Sequence, residues 1–411
     1  MLKYKSKIWH AALATLVFVY CFIEASGDGD LLIFLSAAGD LPDNKNIYVD
    51  KYLVDYHYYY SVLFALLLKP FYALPFFWVK FGWLLLNMLL YIKSFQLLVS
   101  SSLLEKLEEK QKIIFLVLVF IFSLRFLHEN IHTAQITILI FWCCIYGLYF
   151  IHQNRPVLGS LILALGINIK LLPVVFLPYL FYRGYFKAFA FTLSLYLISL
   201  FAPSLIIGND YNMTLLKSWL SLINPTKQQH VLDVDERSFH GISTLLSTLL
   251  VKEVPDYYAL PIRRNIADVS LSTLPNILLS VRLILALFTL YFLKWGFLKK
   301  EKSDSNTLIG MAYLLLLIPL IFPHQQHYAF LFIVPAFALV LYHLQLNYHH
   351  LSKPTKQIII ALLILIYLCG NLKLILGEFN EYYEHFKILT YGGLLLIPLL
   401  VWTSRKSSMA S

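Results

Sequence analysis

The chain has 411 residues, of which 59% are hydrophobic and only 14% charged, with a mean hydropathy of +0.70. Soluble domains carry about 25% charged residues, so the composition excludes a soluble enzyme and indicates a polytopic membrane protein. The net charge of +10 does not point to nucleic acid, because the basic residues fall in short loops between apolar runs, as cytoplasmic loops do.

Repeated apolar runs of about 17–25 residues make helices, not a barrel, the spanning element. The expected fold is therefore all-α, one integral-membrane domain over 1–411 with about 12 transmembrane helices. Met1 to Lys7 is basic and precedes an apolar core, with a weakly cleavage-like Glu24-Ala25-Ser26. It is expected to be a retained first span (8–23), its lysines holding the N-terminus in the cytoplasm.

The first outer loop (27–75) follows. It concentrates Asp28, Asp30, Asp40, Asp43, Asp50 and Asp55, then a tyrosine cluster from Tyr56 to Tyr60 broken by His57. The apolar run 61–74 is short for a crossing at 1.5 Å per residue. It is expected as a juxtamembrane helix on the outer face, with Tyr58, Tyr59 and Tyr60 at headgroup level. Spans at 76–98 and 113–127 flank a charged inner loop and lead to an outer turn, His128 to Gln135. A fourth span returns to Arg155. The run 157–182, with Lys170 near its middle and Pro173 after it, reads as two short helices broken at Lys170, because a lysine at mid-bilayer is costly. Further spans are expected at 188–207, 275–292, 308–321, 329–342, 358–374 and 388–402, with a second long outer loop at 208–274 and the C-terminus inside. Of the 23 acids, only Glu105, Glu108, Glu109, Glu301 and Asp304 fall in inner loops. Carboxylate chemistry belongs on the outer, non-cytoplasmic side.

That side gathers Asp28, Asp30, Glu129, Asn130, Gln135, Lys170, His324 and His327, with Arg125, Arg282 and Lys373 at a similar level. Cations facing one cavity suit a phosphate, and a nearby carboxylate can take a hydroxyl proton. The plainer alternatives are that Asp28 and Asp30 cap a helix or sit solvated, and that the cations snorkel to headgroups. No Gly-x-Gly-x-x-Gly loop and no Walker loop is present, so no nucleotide cradle is visible. His128-Glu129-Asn130-Ile131-His132 spells the zinc-protease pattern His-Glu-x-x-His. It lies at a span-to-turn junction without an Asp-Gly ligand segment. The four cysteines sit inside apolar runs and are expected to pack.

The order of motifs resembles the GT-C-type membrane glycosyltransferases, and within them glycosyltransferase family 87, the polyprenyl-phosphate-sugar-dependent enzymes that include mycobacterial phosphatidylinositol-mannoside mannosyltransferases. Asp30, Phe34, Ala37, Gly39 and Tyr48 follow the family's first-loop pattern, then Val62-Leu63-Phe64-Ala65-Leu66-Leu67-Leu68 and Leu74-Pro75. His132-Thr133-Ala134-Gln135 is similar to its Gly-Gln-x-Asn segment, and Gly159 to Pro173 to its Gly…Lys-x-x-Pro helix pair. Ser238-Phe239-His240-Gly241 is similar to Asn-Gln-Ser-Leu-x-Gly, and Pro323 to Tyr328 to its Ser-Pro…His-His turn. Ser61-Val62 stands where the family has a proline pair, and Tyr328 where it has a second histidine.

The resemblance implies a hexosyltransferase, mannose being the first choice of sugar. It would take the sugar from a polyprenyl phosphate and give it to a lipid or glycan acceptor, with inversion; no cofactor is expected and no residue is assigned to a metal. The setting is a bacterial-type inner membrane. Asp30 is the implied base and Asp28 the alternative. The resemblance points His327 at the donor phosphate. His324, Lys170 and Arg125 are added as counter-charges, and Asn130, Gln135, Tyr58 and His57 as groups meeting substrate. The competing classes are a transporter or lipid flippase, and an intramembrane zinc protease built on His128, Glu129 and His132.

Overall fold

The computed structural model describes residues 2–49, 51–53, 56–99, 104–252, 254–294, 297–300 and 304–409. Asp50, Asp55 and Glu301, counted among the loop acids, lie outside the described residues. Helices dominate, and the sole sheet among the described residues is a two-residue antiparallel pair, Lys51–Tyr52 with Tyr56–His57. Among the described residues, seven helices are long and apolar enough to cross a membrane: Phe76–Val99, Glu109–His132, Phe186–Ile207, Leu274–Leu293, His327–Leu346, Lys353–Leu374 and Ile388–Arg405. The protein is thus an all-α, polytopic integral membrane protein. Where the other five crossings are expected, the structure has shorter apolar helices, Ala11–Glu24, Thr137–His152, Pro156–Ile169, Leu172–Tyr182 and Asn306–Ile321. Large apolar side chains stand exposed along many of these helices, Leu205 and Ile198 among them, as lipid-facing residues do.

Chain packing divides the described residues into two compact units. The first comprises Met1–Gln96, His128–Val174 and Lys187–Ile223. In it the short helix Leu31–Asp40 lies along Val62–Tyr72, close enough that a Cβ on Gly39 would strike the Tyr72 ring at 2.5 Å. Phe34, Tyr60 and Phe64 form the aromatic seam, with ring centroids 4.6 Å apart for Phe34–Tyr60 and 5.7 Å for Phe34–Phe64. Val62–Tyr72 starts where Ser61 accepts a hydrogen bond from the Phe64 amide, and its 11 residues cover about 16 Å, too short to cross. This much matches the juxtamembrane expectation. The tyrosines do not: Tyr58 is fully buried and Tyr60 nearly so, and the Tyr58 hydroxyl donates to the Ser61 carbonyl. That main-chain partner inside the protein removes the need of Tyr58 for headgroup contact.

Thr137–His152 and Pro156–Ile169 form a close helix pair. Gly147 and Gly159 face each other across it; a Cβ on Gly159 would meet the Gly147 carbonyl oxygen at 2.5 Å. Small residues at such a seam let backbones approach where no hydrophobic force drives helices together. The second helix stops at Ile169, and Lys170 is extended, with φ −146°. The break expected at Lys170 is present. The stretch 208–274, expected as a loop, contains three helices: Asn209–Leu222 in the first unit, and Gln228–Leu232 and Ile242–Leu250 in the second.

The second unit comprises Leu97–Leu127, Val175–Phe186 and Asn224–Ser411. Its centre is the helix Val334–Leu346, preceded by the 3-10 turn His327–Ile333, with every residue from Ala329 to Leu344 buried. A helix apolar all round belongs at such a centre. Phe122 stacks on Phe337 at 3.9 Å and Phe292 on Tyr313 at 4.2 Å.

Candidate functional site

The first unit holds a polar constellation around Asp30. Asp30 precedes the Leu31–Asp40 helix, yet its side chain makes no cap bond, which sets aside the helix-capping alternative. Instead its Oδ2 accepts a 2.5 Å hydrogen bond from Gln135 Nε2. The Asp30 amide donates to the Thr133 carbonyl at 2.8 Å. Gly29 permits that approach, because a Cβ there would sit 2.8 Å from the same carbonyl oxygen. On the other side, Lys80 Nζ donates to the carbonyls of Gly27 (2.9 Å) and Asp28 (2.6 Å). The segment is thereby clamped from both ends by main-chain contacts.

Burial raises the Asp30 carboxyl above its ordinary range, opposed by the Gln135 hydrogen bond and the charge of Lys170. Lys170 Nζ also lies over the Tyr60 ring, 5.6 Å from its centroid. Beneath, Asn168 bridges Ser61 and Ser199, with bonds of 2.7 Å to each. A half-buried carboxylate with one amide donor and one cation nearby is equipped to accept a proton.

Other expected residues fall differently. Asp28 is exposed and offers its backbone, not its carboxylate, to Lys80. Asn130 is buried and its carbonyl accepts from the Gln135 amide, shaping the turn. His57 is half-buried on the small sheet, its ring edge-on to Tyr59. Tyr58, expected to meet substrate, is sealed in the core.

His128 and His132 are engaged singly. His128 Nδ1 pairs with the Tyr20 hydroxyl at 2.6 Å, and His132 Nδ1 with Glu24 at 2.9 Å. Among the described residues, the cluster geometrically able to hold an ion lies elsewhere, so the zinc-protease alternative has no centre at this motif.

That cluster is in the second unit. His240 Nε2 lies 2.8 Å from Glu384 Oε2, and His327 Nε2 lies 3.0 Å from Glu384 Oε1. All three side chains are buried. Burial would raise Glu384, but the two imidazoles outweigh it and keep the carboxyl ionised well below its usual range. Lys373 Nζ stands 3.3 Å from Glu384 Oε1. Arg125, fully buried, donates to the Gly370 carbonyl at 2.8 Å and to the Tyr383 hydroxyl at 3.2 Å. A cavity of about 600 Å³ opens beside Glu384, lined also by Arg237, Ser238, Lys373, Asn380 and Glu381.

His324 is placed apart from this cluster. Its amide donates to Asp233 Oδ1 at 2.8 Å and its ring pairs with His230, an arrangement that shapes the turn.

Sequence reasoning missed Lys80, which reads as one cation in an apolar helix, and Glu384, one acid among several in a short loop. His240 was visible only as part of a motif.

A profile of glycosyltransferase family 87 matches residues 58–323, well over half of the chain. The chain belongs to glycosyltransferase family 87. It is therefore a membrane glycosyltransferase. The match takes in Gln135, Lys170, Arg125 and His240, and it leaves Asp30, His327 and Glu384 outside. No curated protein and no solved structure gives a match.

Proposed function

We propose that this family 87 glycosyltransferase moves a hexose, mannose first, from a polyprenyl phosphate to a lipid or glycan acceptor on the non-cytoplasmic face of the membrane. Asp30 is the general base. Its carboxylate takes the proton of the acceptor hydroxyl as that oxygen attacks the anomeric carbon. The bond from that carbon to the phosphate oxygen breaks, polyprenyl phosphate leaves with the electron pair, and the configuration inverts. His327 and Arg125 are assigned to the donor phosphate. Lys170 is reassigned to Asp30, whose ionised form its charge favours.

The observation that carries this reading is the Asp30 environment: a raised carboxyl released from helix capping and oriented by Gln135. Asp28, exposed and unoriented, has no comparable support.

The test is transfer from a labelled polyprenyl-phosphate mannose by purified protein. Asp30→Asn is expected to lower the rate by about 10²–10⁴-fold, the usual worth of a positioned base, while Asp28→Asn stays near wild type. Full activity in Asp30→Asn would overturn the mechanism. Activity only with other polyprenyl-phosphate sugars would overturn the choice of mannose.

A further inference from the structure

The geometry points to a divalent metal site, of the kind zinc takes, formed by His240, His327 and Glu384. Three ligand-type atoms converge in the second unit. The edges of the triangle are 2.8 Å from His240 Nε2 to Glu384 Oε2, 3.0 Å from His327 Nε2 to Glu384 Oε1, and 3.0 Å between the two Nε2 atoms. A tetrahedral zinc ion with bonds of about 2.0–2.1 Å holds its ligands about 3.3 Å apart. An outward shift of a few tenths of an ångström converts one geometry into the other.

The hydrogen-bond count supports an ion. Each Nε2 carries at most one proton. If both nitrogens are protonated, they satisfy the carboxylate but oppose each other as two donors at 3.0 Å. If one is bare, its lone pair faces a carboxylate oxygen instead. A cation between the three atoms would make all three contacts favourable at once. Glu384 Oε1 accordingly makes no hydrogen bond of good geometry despite its burial. Two imidazoles and one carboxylate form the ligand set of catalytic zinc sites, in which a fourth position stays open. Here Glu384 also lines the cavity with Arg237 and Lys373, so the open position suits water or an anionic oxygen.

The chain holds the ligands rigidly. The His240 amide donates to the Gln325 carbonyl at 2.8 Å, and Thr390 Oγ1 donates to the His240 carbonyl at 2.6 Å. Tyr383 flanks both imidazoles and is fixed by its bond to the Cys369 carbonyl. Lys373, 3.3 Å from Glu384, is the charge an entering ion would displace.

His327 is also assigned to the donor phosphate above, so the test reads bound metal and not transfer. Full-length protein in detergent is stripped with a chelator, dialysed against Zn(II) or Co(II), and analysed for metal. About one equivalent per chain is expected, with a visible Co(II) spectrum of a four- or five-coordinate ion. His327→Ala and Glu384→Gln should each abolish stoichiometric binding, and Lys373→Met, which keeps all three ligands, should tighten it. His128→Ala with His132→Ala should leave it intact. Failure of the wild type to retain metal above the level of His327→Ala would overturn the site, as would loss of metal following His128 and His132. Should the ligand variants not fold, the wild-type stoichiometry and the direction of the Lys373→Met effect still decide.

Discussion

At the scale of single residues, Asp30 trades stability for reactivity. Its folded pKa is raised, so the folded state binds a proton more tightly than the unfolded chain. Stability from this group is therefore present below the unfolded value of about 3.9 and is lost as pH rises through the folded value. Once ionised, the buried carboxylate is a burden, and Asp30→Asn is expected to melt no lower than wild type in detergent while losing transfer. The same shift places the acid limb of the rate profile above the ordinary carboxylate range. Gln135 and Lys170 both favour the ionised form. Gln135→Leu and Lys170→Met should each move that limb to higher pH in a pH–rate series, which a merely structural role would not do. Asp30, Gln135 and Lys170 were legible because polar residues at the ends of apolar runs stand out. Glu384 was not, since its partner His240 is 144 positions away and nothing local marks the pair.

At the scale of elements, close backbone approach sets the tolerance to change. A methyl on Gly159 would meet backbone and Ile151 atoms at 2.5–2.8 Å, whereas one on Gly147 would find its nearest neighbour at 3.1 Å. Gly159→Ala is expected to cost about 1–3 kcal/mol, the range for overpacking, and Gly147→Ala distinctly less, by thermal melting in detergent. Helix existence and the break at Lys170 could be read from hydropathy and from a lone lysine before proline. The helices inside 208–274 could not, because their apolar faces are short and interrupted by polar residues. The burial of Tyr58 was hidden for a different reason. An aromatic cluster beside an apolar run reads equally well as an interfacial belt, and only the Ser61 and Tyr48 contacts choose the core.

At the scale of the whole molecule, the distribution of acids and bases dictates how the chain is threaded. The outer loop 27–75 is expected on the non-cytoplasmic face and the basic segment around Lys299 inside. All four cysteines are buried and free, so a cysteine-free background is attainable with small residues. In it, Asp43→Cys should react with an impermeant maleimide in intact cells, and Lys299→Cys only after permeabilisation. The opposite pattern would reverse the sidedness and move Asp30 to the cytoplasm. Seven helices announced themselves by length. The shorter ones also read as apolar runs, and charge parity between loops, a property of the entire sequence that no single segment carries, decided only how 61–74 and 157–182 are read.

The clamp around Asp30 has a consequence for how this enzyme can change over time. Its anchors are the carbonyls of Gly27, Asp28 and Thr133, atoms that every residue type possesses. Mutation cannot remove them one by one, apart from Gly29, where space is the limit, and Lys80, which reaches across. Side chains around the segment other than Gln135 and Lys170 can thus change while the backbone that carries Asp30 stays where it is.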